Sequence, residues 1–182
     1  MYRLRFLALL VCAGWTSAAA DLPGIPNFHQ VDDHVYRGAQ PSARDFQSLA
    51  HLGVKTVLDL RDGQGHVRGE EKLVKGAGMR YVSLPMNGLD APTELQMAHA
   101  LEVLLDSGNG PIFVHCRRGA DRTGTVVACY RIAHDRWPNQ KALDEARSFG
   151  MSWLEHGMRN YVLRFQSAAG TPVSASTAAA PR

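Results

Sequence analysis

The stretch from Ile112 to Tyr130 constrains this chain more than any other part of it. Ile112-Phe113-Val114 is short and wholly apolar, which reads as a buried strand. It runs directly into His115-Cys116-Arg117-Arg118-Gly119-Ala120-Asp121-Arg122-Thr123-Gly124. The next helix begins near Arg122 and stays apolar through Val126, Val127 and Ala128, as a central buried helix would. A loop of this length between strand and helix can turn successive backbone N–H groups toward one point, backed by the positive end of the helix. Such a nest binds a tetrahedral dianion and favours thiolate over thiol at Cys116. Arg122 offers a planar fork that matches two phosphate oxygens. Thr123 is placed to hydrogen-bond the Cys116 sulfur. Gly119 permits the backbone bend, and Gly124 allows the helix to pack closely on the strand.

The rest of the chain supplies a frame for that loop. Val35-Tyr36-Arg37 reads as a short strand, and Ser42 as the N-cap of a helix with Phe46, Leu49, Ala50 and Leu52 inward. Val54 to Leu60 is a β-branched, apolar run that fits a buried strand. A Gly-rich loop follows, then a short helix at Glu70 to Ala77 and a strand at Met79 to Leu84. A helix from Thr93 to Asp106 carries Leu95, Ala98, Leu101 and Leu105 on its predicted inner face. Asn139 reads as the cap of the next helix, with Ala142, Leu143 and Ala146 inward, and a last helix runs from Trp153 to Ser167. Strands alternating with helices predict a single-domain α/β three-layer sandwich, with a central, mostly parallel sheet flanked by helices. Ligands in such sheets bind beyond the carboxyl ends of the strands, where residues 115–124 fall.

The ends of the sequence have their own logic. Arg3 and Arg5, an apolar stretch from Phe6 to Trp15, and Ala18-Ala19-Ala20 read as a signal peptide over residues 1–20. The apolar run is about ten residues, half the roughly twenty that span a bilayer, so no stable membrane anchor is expected. Residues 21–167 form the expected domain, and 168–182, rich in Ala, Ser, Thr and Pro, an expected disordered tail. Export implies a periplasmic or secreted protein. The formal net charge is +3. Without Arg3 and Arg5 it falls to about +1, too little to argue for nucleic acid. Cys116 and Cys129 remain after cleavage. Two helical turns should separate them by on the order of 10 Å, so Cys129 reads as a small buried hydrophobe rather than a disulfide partner. Eight histidines without paired ligand spacing argue against a metal, and no cofactor is expected. Gly63-Gln64-Gly65 lacks a dinucleotide fingerprint and reads as a flexible loop.

Residues 115–124 resemble the protein tyrosine and dual-specificity phosphatase signature, His-Cys-x5-Arg-Thr. Asp32 to Ser42, with Val35-Tyr36-Arg37-Gly38-Ala39-Gln40-Pro41, looks like the opening of compact atypical dual-specificity phosphatases, and the resemblance spans Val31 to Phe149. It is similar both to periplasmic bacterial tyrosine phosphatases and to plant and fungal enzymes acting on inositol pyrophosphates. The resemblance implies the Cys-based phosphatase fold and a monomer acting on a phosphorylated protein or small molecule. It implies Cys116 as nucleophile, Arg122 as phosphate binder, Thr123 as hydrolysis helper and His115 as organiser behind the cysteine. Loop residues Arg117, Arg118, Gly119, Ala120 and Asp121 would line the phosphate cradle, with Gly124 in support. The pyrophosphate enzymes carry lysine and histidine where this chain has Ala120 and Asp121, a departure that counts against inositol pyrophosphates as its substrate.

A leaving alkoxide or phenoxide needs a proton donor. Family members place an aspartate on the loop before the helix that precedes the signature strand, which implies Asp90 in Asn87-Gly88-Leu89-Asp90-Ala91-Pro92. Asp121 is the alternative acid, a water-positioning group, or a salt-bridge partner of a neighbouring arginine. Asp62 reads as a turn residue. Arg117 and Arg118 either draw polyanions to the mouth or form a solvated pair. The function these features imply is phosphomonoester hydrolysis through a phosphocysteine. The alternatives are a phosphoinositide or inositol-phosphate phosphatase using the same site, and a non-catalytic phosphate-binding module.

Overall fold

The computed structural model describes residues 24–167; the expected leader and tail lie outside them. Five strands form one sheet in the order β1-β2-β5-β3-β4. These are β1 (His29–Gln30), β2 (Val35–Gly38), β3 (Thr56–Asp59), β4 (Arg80–Ser83) and β5 (Ile112–His115). β1 pairs antiparallel with β2, and every other pairing is parallel. β5 is central, and each of its residues is buried because helices cover both faces.

Six helices make the outer layers: α1 (Asp45–His51), α2 (Gln64–Gly76), α3 (Glu94–Leu105), α4 (Asp121–Ala133), α5 (Asn139–Ser148) and α6 (His156–Arg164). On one face Phe46, Leu49 and Val74, from α1 and α2, pack with Val57 and Phe113. On the other, residues of α3 to α6 such as Met97, Val127, Leu143 and Val162 pack with Leu58, Ile112 and Val114. The α/β sandwich expected from the sequence is therefore the fold.

Several local expectations are corrected. α2 starts at Gln64 rather than near Glu70, directly after Gly63, whose φ of 102° makes the turn; buried Glu70 and Val74 anchor that helix. Ser42 does not cap α1. Its backbone N–H instead donates to Asp45 Oδ2 at 2.8 Å. α3 buries Met97, Ala100 and Leu104 with Leu101 half-buried beside them, while Leu95, Ala98 and Leu105 face outward. The helix carries two apolar stripes, and the reading chose the wrong one. Thr93 caps α3 in a reciprocal box with Gln96. Asn139 caps nothing; its amide ties the carbonyls of Val162, Leu163 and Phe165 at the end of α6. Trp153 and Leu154 precede α6 and are exposed.

Candidate active site

Cys116 lies just past the carboxyl end of β5, the central strand of the sheet. The residue follows β5 directly, is free and buried, and lines a cavity of about 250 Å³ together with Arg122, Gly88, Leu89 and Glu155. Residues 116–120 then cross to the start of α4.

The loop's carbonyls show which way its amides face. Arg117 O accepts from Gln40 N at 3.3 Å. Arg118 O accepts from Asn27 Nδ2 at 2.9 Å, and Gly119 O from Arg37 Nη2 at 2.8 Å. A planar trans peptide points its N–H opposite its C=O. Three consecutive carbonyls held from outside thus turn the amides of Arg118, Gly119 and Ala120 to the inner side. That is the nest geometry that cradles an anion. Gly119 has φ of 69°, and a Cβ there would lie 2.4 Å from Gly38 C. The loop is seated on the end of β2. Gly124, by contrast, lets α4 approach α5 and not a strand: its missing Cβ faces Ala146 Cβ and Met151 Cε at 3.2 Å.

Arg37 explains part of that seating. Its side chain is fully buried, its guanidinium lies 4.1 Å over the Phe149 ring, and Nε and Nη1 lack hydrogen-bond partners. Burial pulls its pKa down to about 10, so it stays charged at neutral pH. A cation thus sits beneath the phosphate loop.

Arg122 Nη1 donates to Asp62 Oδ1 at 3.0 Å and to Met86 O at 3.1 Å. Asp62 is therefore more than the turn residue expected: it braces the arginine. Thr123 Oγ1 is buried without a hydrogen-bond partner, so the expected bond to the Cys116 sulfur is not formed. Asp121 is buried, with one oxygen accepting from Ser152 N at 2.9 Å and the other paired to Arg118. Both oxygens face donors, which holds the side chain in place. The salt-bridge reading of Asp121 is the one this geometry supports. Arg118 is accordingly held by Asp121, and no side-chain hydrogen bond of Arg117 is found among the described residues. Asp90 is exposed, immediately after the cavity-lining Gly88 and Leu89. Cys129 is buried in the core, which pushes its thiol pKa up.

Behind the cysteine lies a buried set of charges that sequence reading missed. Arg61 donates to Asp59 through Nε (2.8 Å) and Nη2 (2.6 Å), and through Nη2 to Glu70 Oε2 at 2.7 Å. Tyr81 Oη donates to Asp59 Oδ2 at 2.7 Å. Burial alone would raise the Asp59 pKa, but the bonds from Arg61 and the nearby His115 outweigh it and hold it below the usual carboxylate range. Asp59, Glu70 and His115 bring donor atoms within 4.8 Å of one another. Arg61 already bridges the two carboxylates, so a metal ion would have to displace a guanidinium. The one available signal was Asp59 itself, a charge inside an apolar strand that demands a partner.

Comparison with known proteins gives the chain a family and matches its fold. A family model described as "DSP-PTPase phosphatase fused to NAD+ Kinase" matches residues 21–159. The inositol diphosphatase DSP5 of Arabidopsis thaliana is 30% identical over 139 residues, which cover 74% of this chain and 67% of that protein. The dual specificity protein phosphatase TpbA of Pseudomonas aeruginosa strain UCBPP-PA14 is 32% identical over 126 residues, 68% of this chain and 55% of that one. Among solved structures, the core catalytic domain of the PP-IP phosphatase SIW14 from S. cerevisiae, in complex with citrate, has a TM-score of 0.68 at 28% identity. It covers 78% of this chain and 88% of its own. P. aeruginosa TpbA in complex with pTyr has a TM-score of 0.65 at 29% identity, over 75% and 82% of the two chains.

Proposed function

Because this chain belongs to the DSP-type phosphatase family and is an enzyme of that kind, we propose that it hydrolyses phosphomonoesters through a phosphocysteine on Cys116. The observation that carries the reading is the inward-turned loop: a buried cysteine lies beneath it, and Arg122 lines the same cavity.

In the first step the Cys116 thiolate attacks phosphorus, the S–P bond forms and the P–O bond to the leaving group breaks. Arg122 and the amides of 118–120 hold the phosphoryl oxygens as their charge redistributes. Asp90 donates its proton to the departing oxygen, approaching from the loop whose Gly88 and Leu89 line the cavity. In the second step water attacks phosphorus, Asp90 takes its proton, and the S–P bond breaks to release phosphate and the thiolate. Thr123, whose buried hydroxyl has no partner in the resting site, turns to stabilise the sulfur as it leaves.

For substrate, we favour phosphotyrosine-type monoesters. Exposed Leu89 at the cavity mouth offers an aryl group an apolar edge. TpbA, solved with pTyr, supports this reading. A second reading, an inositol phosphate or diphosphate, draws on an adjoining cavity of about 370 Å³ lined by Arg61, Arg117 and Arg122, and on the diphosphatase relatives. We assign the mature enzyme to the periplasm or exterior on the strength of residues 1–20. No helix among the described residues is long and apolar enough to cross a membrane.

The test is metal-free turnover of an aryl phosphate, with the phosphoryl group trapped on residue 116. Cys116→Ser abolishes turnover and retains phosphate binding. Undiminished activity in that variant would refute the reading. Phosphate release over a panel of phosphotyrosine peptides and inositol phosphates decides between the substrates.

A further inference from the structure

The residue before the nucleophile sits in an electrostatic environment that the reaction as described does not use. His115 ends β5, is fully buried, and stacks on Phe113 with ring centroids 5.5 Å apart. Its Nδ1 lies 3.3 Å from the Cys116 carbonyl oxygen. Its Nε2 lies 2.8 Å from Glu70 Oε1 and 3.8 Å from Asp59 Oδ1. The Nε2–Oε1 contact is close but not aligned as a hydrogen bond, and it is an ion pair only when the ring is protonated.

A backbone carbonyl can only accept a hydrogen bond, and an ionised carboxylate likewise. Both ring nitrogens therefore face acceptors, which calls for a proton on each. Charge counting agrees. Asp59 and Glu70 bring two buried negative charges and Arg61 one positive. An uncompensated charge in this interior is costly, and an imidazolium at residue 115 brings the cluster to neutrality.

We propose that Glu70 is a positioning residue for the phosphatase reaction: it holds His115 as an imidazolium directly behind Cys116, and that charge favours the thiolate. The proposal rests on Cys116 being the nucleophile. The other charged or titratable groups facing the site are Asp59 from β3, Arg61 after it, Tyr81 from β4, buried Arg37 from β2, Arg117 and Arg118 on the loop, Asp121 and Arg122 at the start of α4, and Glu155 just before α6. Of these, Glu70 is the carboxylate nearest the imidazole, and it comes from α2, the helix whose length the sequence did not reveal.

The experiment follows the pH dependence of iodoacetamide alkylation at Cys116, read by mass spectrometry of its peptide, in the wild type, Glu70→Gln and Glu70→Asp. The expected result is a midpoint shifted upward by about one pH unit in Glu70→Gln, with partial rescue in Glu70→Asp. At pH values below the shifted midpoint, kcat for p-nitrophenyl phosphate falls about ten-fold with KM changed less than two-fold. A folded Glu70→Gln whose midpoint stays within about 0.3 unit of wild type overturns the proposal. Nitrogen chemical shifts of the His115 ring in the wild-type chain give a second readout that needs no variant. A doubly protonated ring at neutral pH supports the proposal. A neutral ring, with the proton residing on Glu70, overturns it. Neither outcome bears on whether Cys116→Ser is inactive, so the nucleophile assignment stands or falls separately.

Discussion

Gly119→Ala tests the seating of the phosphate loop more directly than any change to a reacting group. Gly119 has a φ of 69°, a conformation that costs an L-residue about 1–2 kcal/mol. The added methyl would also lie 2.4 Å from Gly38 C and 2.5 Å from Ala39 N and Gly38 O. These are backbone atoms at the end of β2 and cannot rotate aside, so relief requires the loop to lift; overpacking of this kind costs about 1–3 kcal/mol. Together the two effects amount to about 3 kcal/mol, which for a domain of this size lowers Tm by about 10 °C. Lifting the loop also lengthens the Arg37–Gly119 bond that turns the amides inward, so affinity for an oxyanion falls with stability. Thermal unfolding by circular dichroism and inhibition by orthophosphate measure the two effects. A variant that keeps the wild-type Tm within about 2 °C and an unchanged inhibition constant would show that the loop is not seated as described.

Other substitutions probe the same site. Asp90→Asn slows hydrolysis of an alkyl phosphate far more than that of an activated aryl phosphate, as paired steady-state assays will show; the same pattern in Asp121→Asn instead would move the acid role to Asp121. Asp121→Asn otherwise lowers stability by about 1–3 kcal/mol in urea titration, because its oxygens serve Ser152 and Arg118. Asp62→Asn frees Arg122 from a half-exposed ion pair worth at most about 1 kcal/mol, so orthophosphate inhibits up to about five-fold more tightly. Asp59, with its folded pKa depressed, contributes stability that is present above the unfolded carboxylate range and is lost as pH falls through the folded value. The urea midpoints of wild type and Asp59→Asn should therefore differ widely at neutral pH and converge in acid.

What the sequence made legible was local or periodic. The apolar run at Ile112 to Val114 and the loop after it were readable because strand, anion nest and helix start are contiguous. The inward positions of α5 were readable from a single apolar stripe. α3 has two stripes, and composition alone does not say which meets the sheet. The partners of Arg122 and His115 were hidden for a different reason. Asp62 lies 60 residues from Arg122, and Glu70 enters the interior only because α2 begins earlier than its glycines suggest. Arg37 was readable as part of a strand, but nothing local indicates that it lies under the phosphate loop.

The three clamps on the loop carbonyls come from Asn27, Arg37 and Gln40, a span of fourteen residues near the start of the domain. The mould for the anion is thus cast by residues 27–40 and filled by a segment some eighty residues later. A fragment starting at β3 would retain the thiol, the guanidinium and α4, yet have nothing to press the amides into a bowl. Grafting residues 115–124 onto another parallel sheet would transfer the reagents without the vessel.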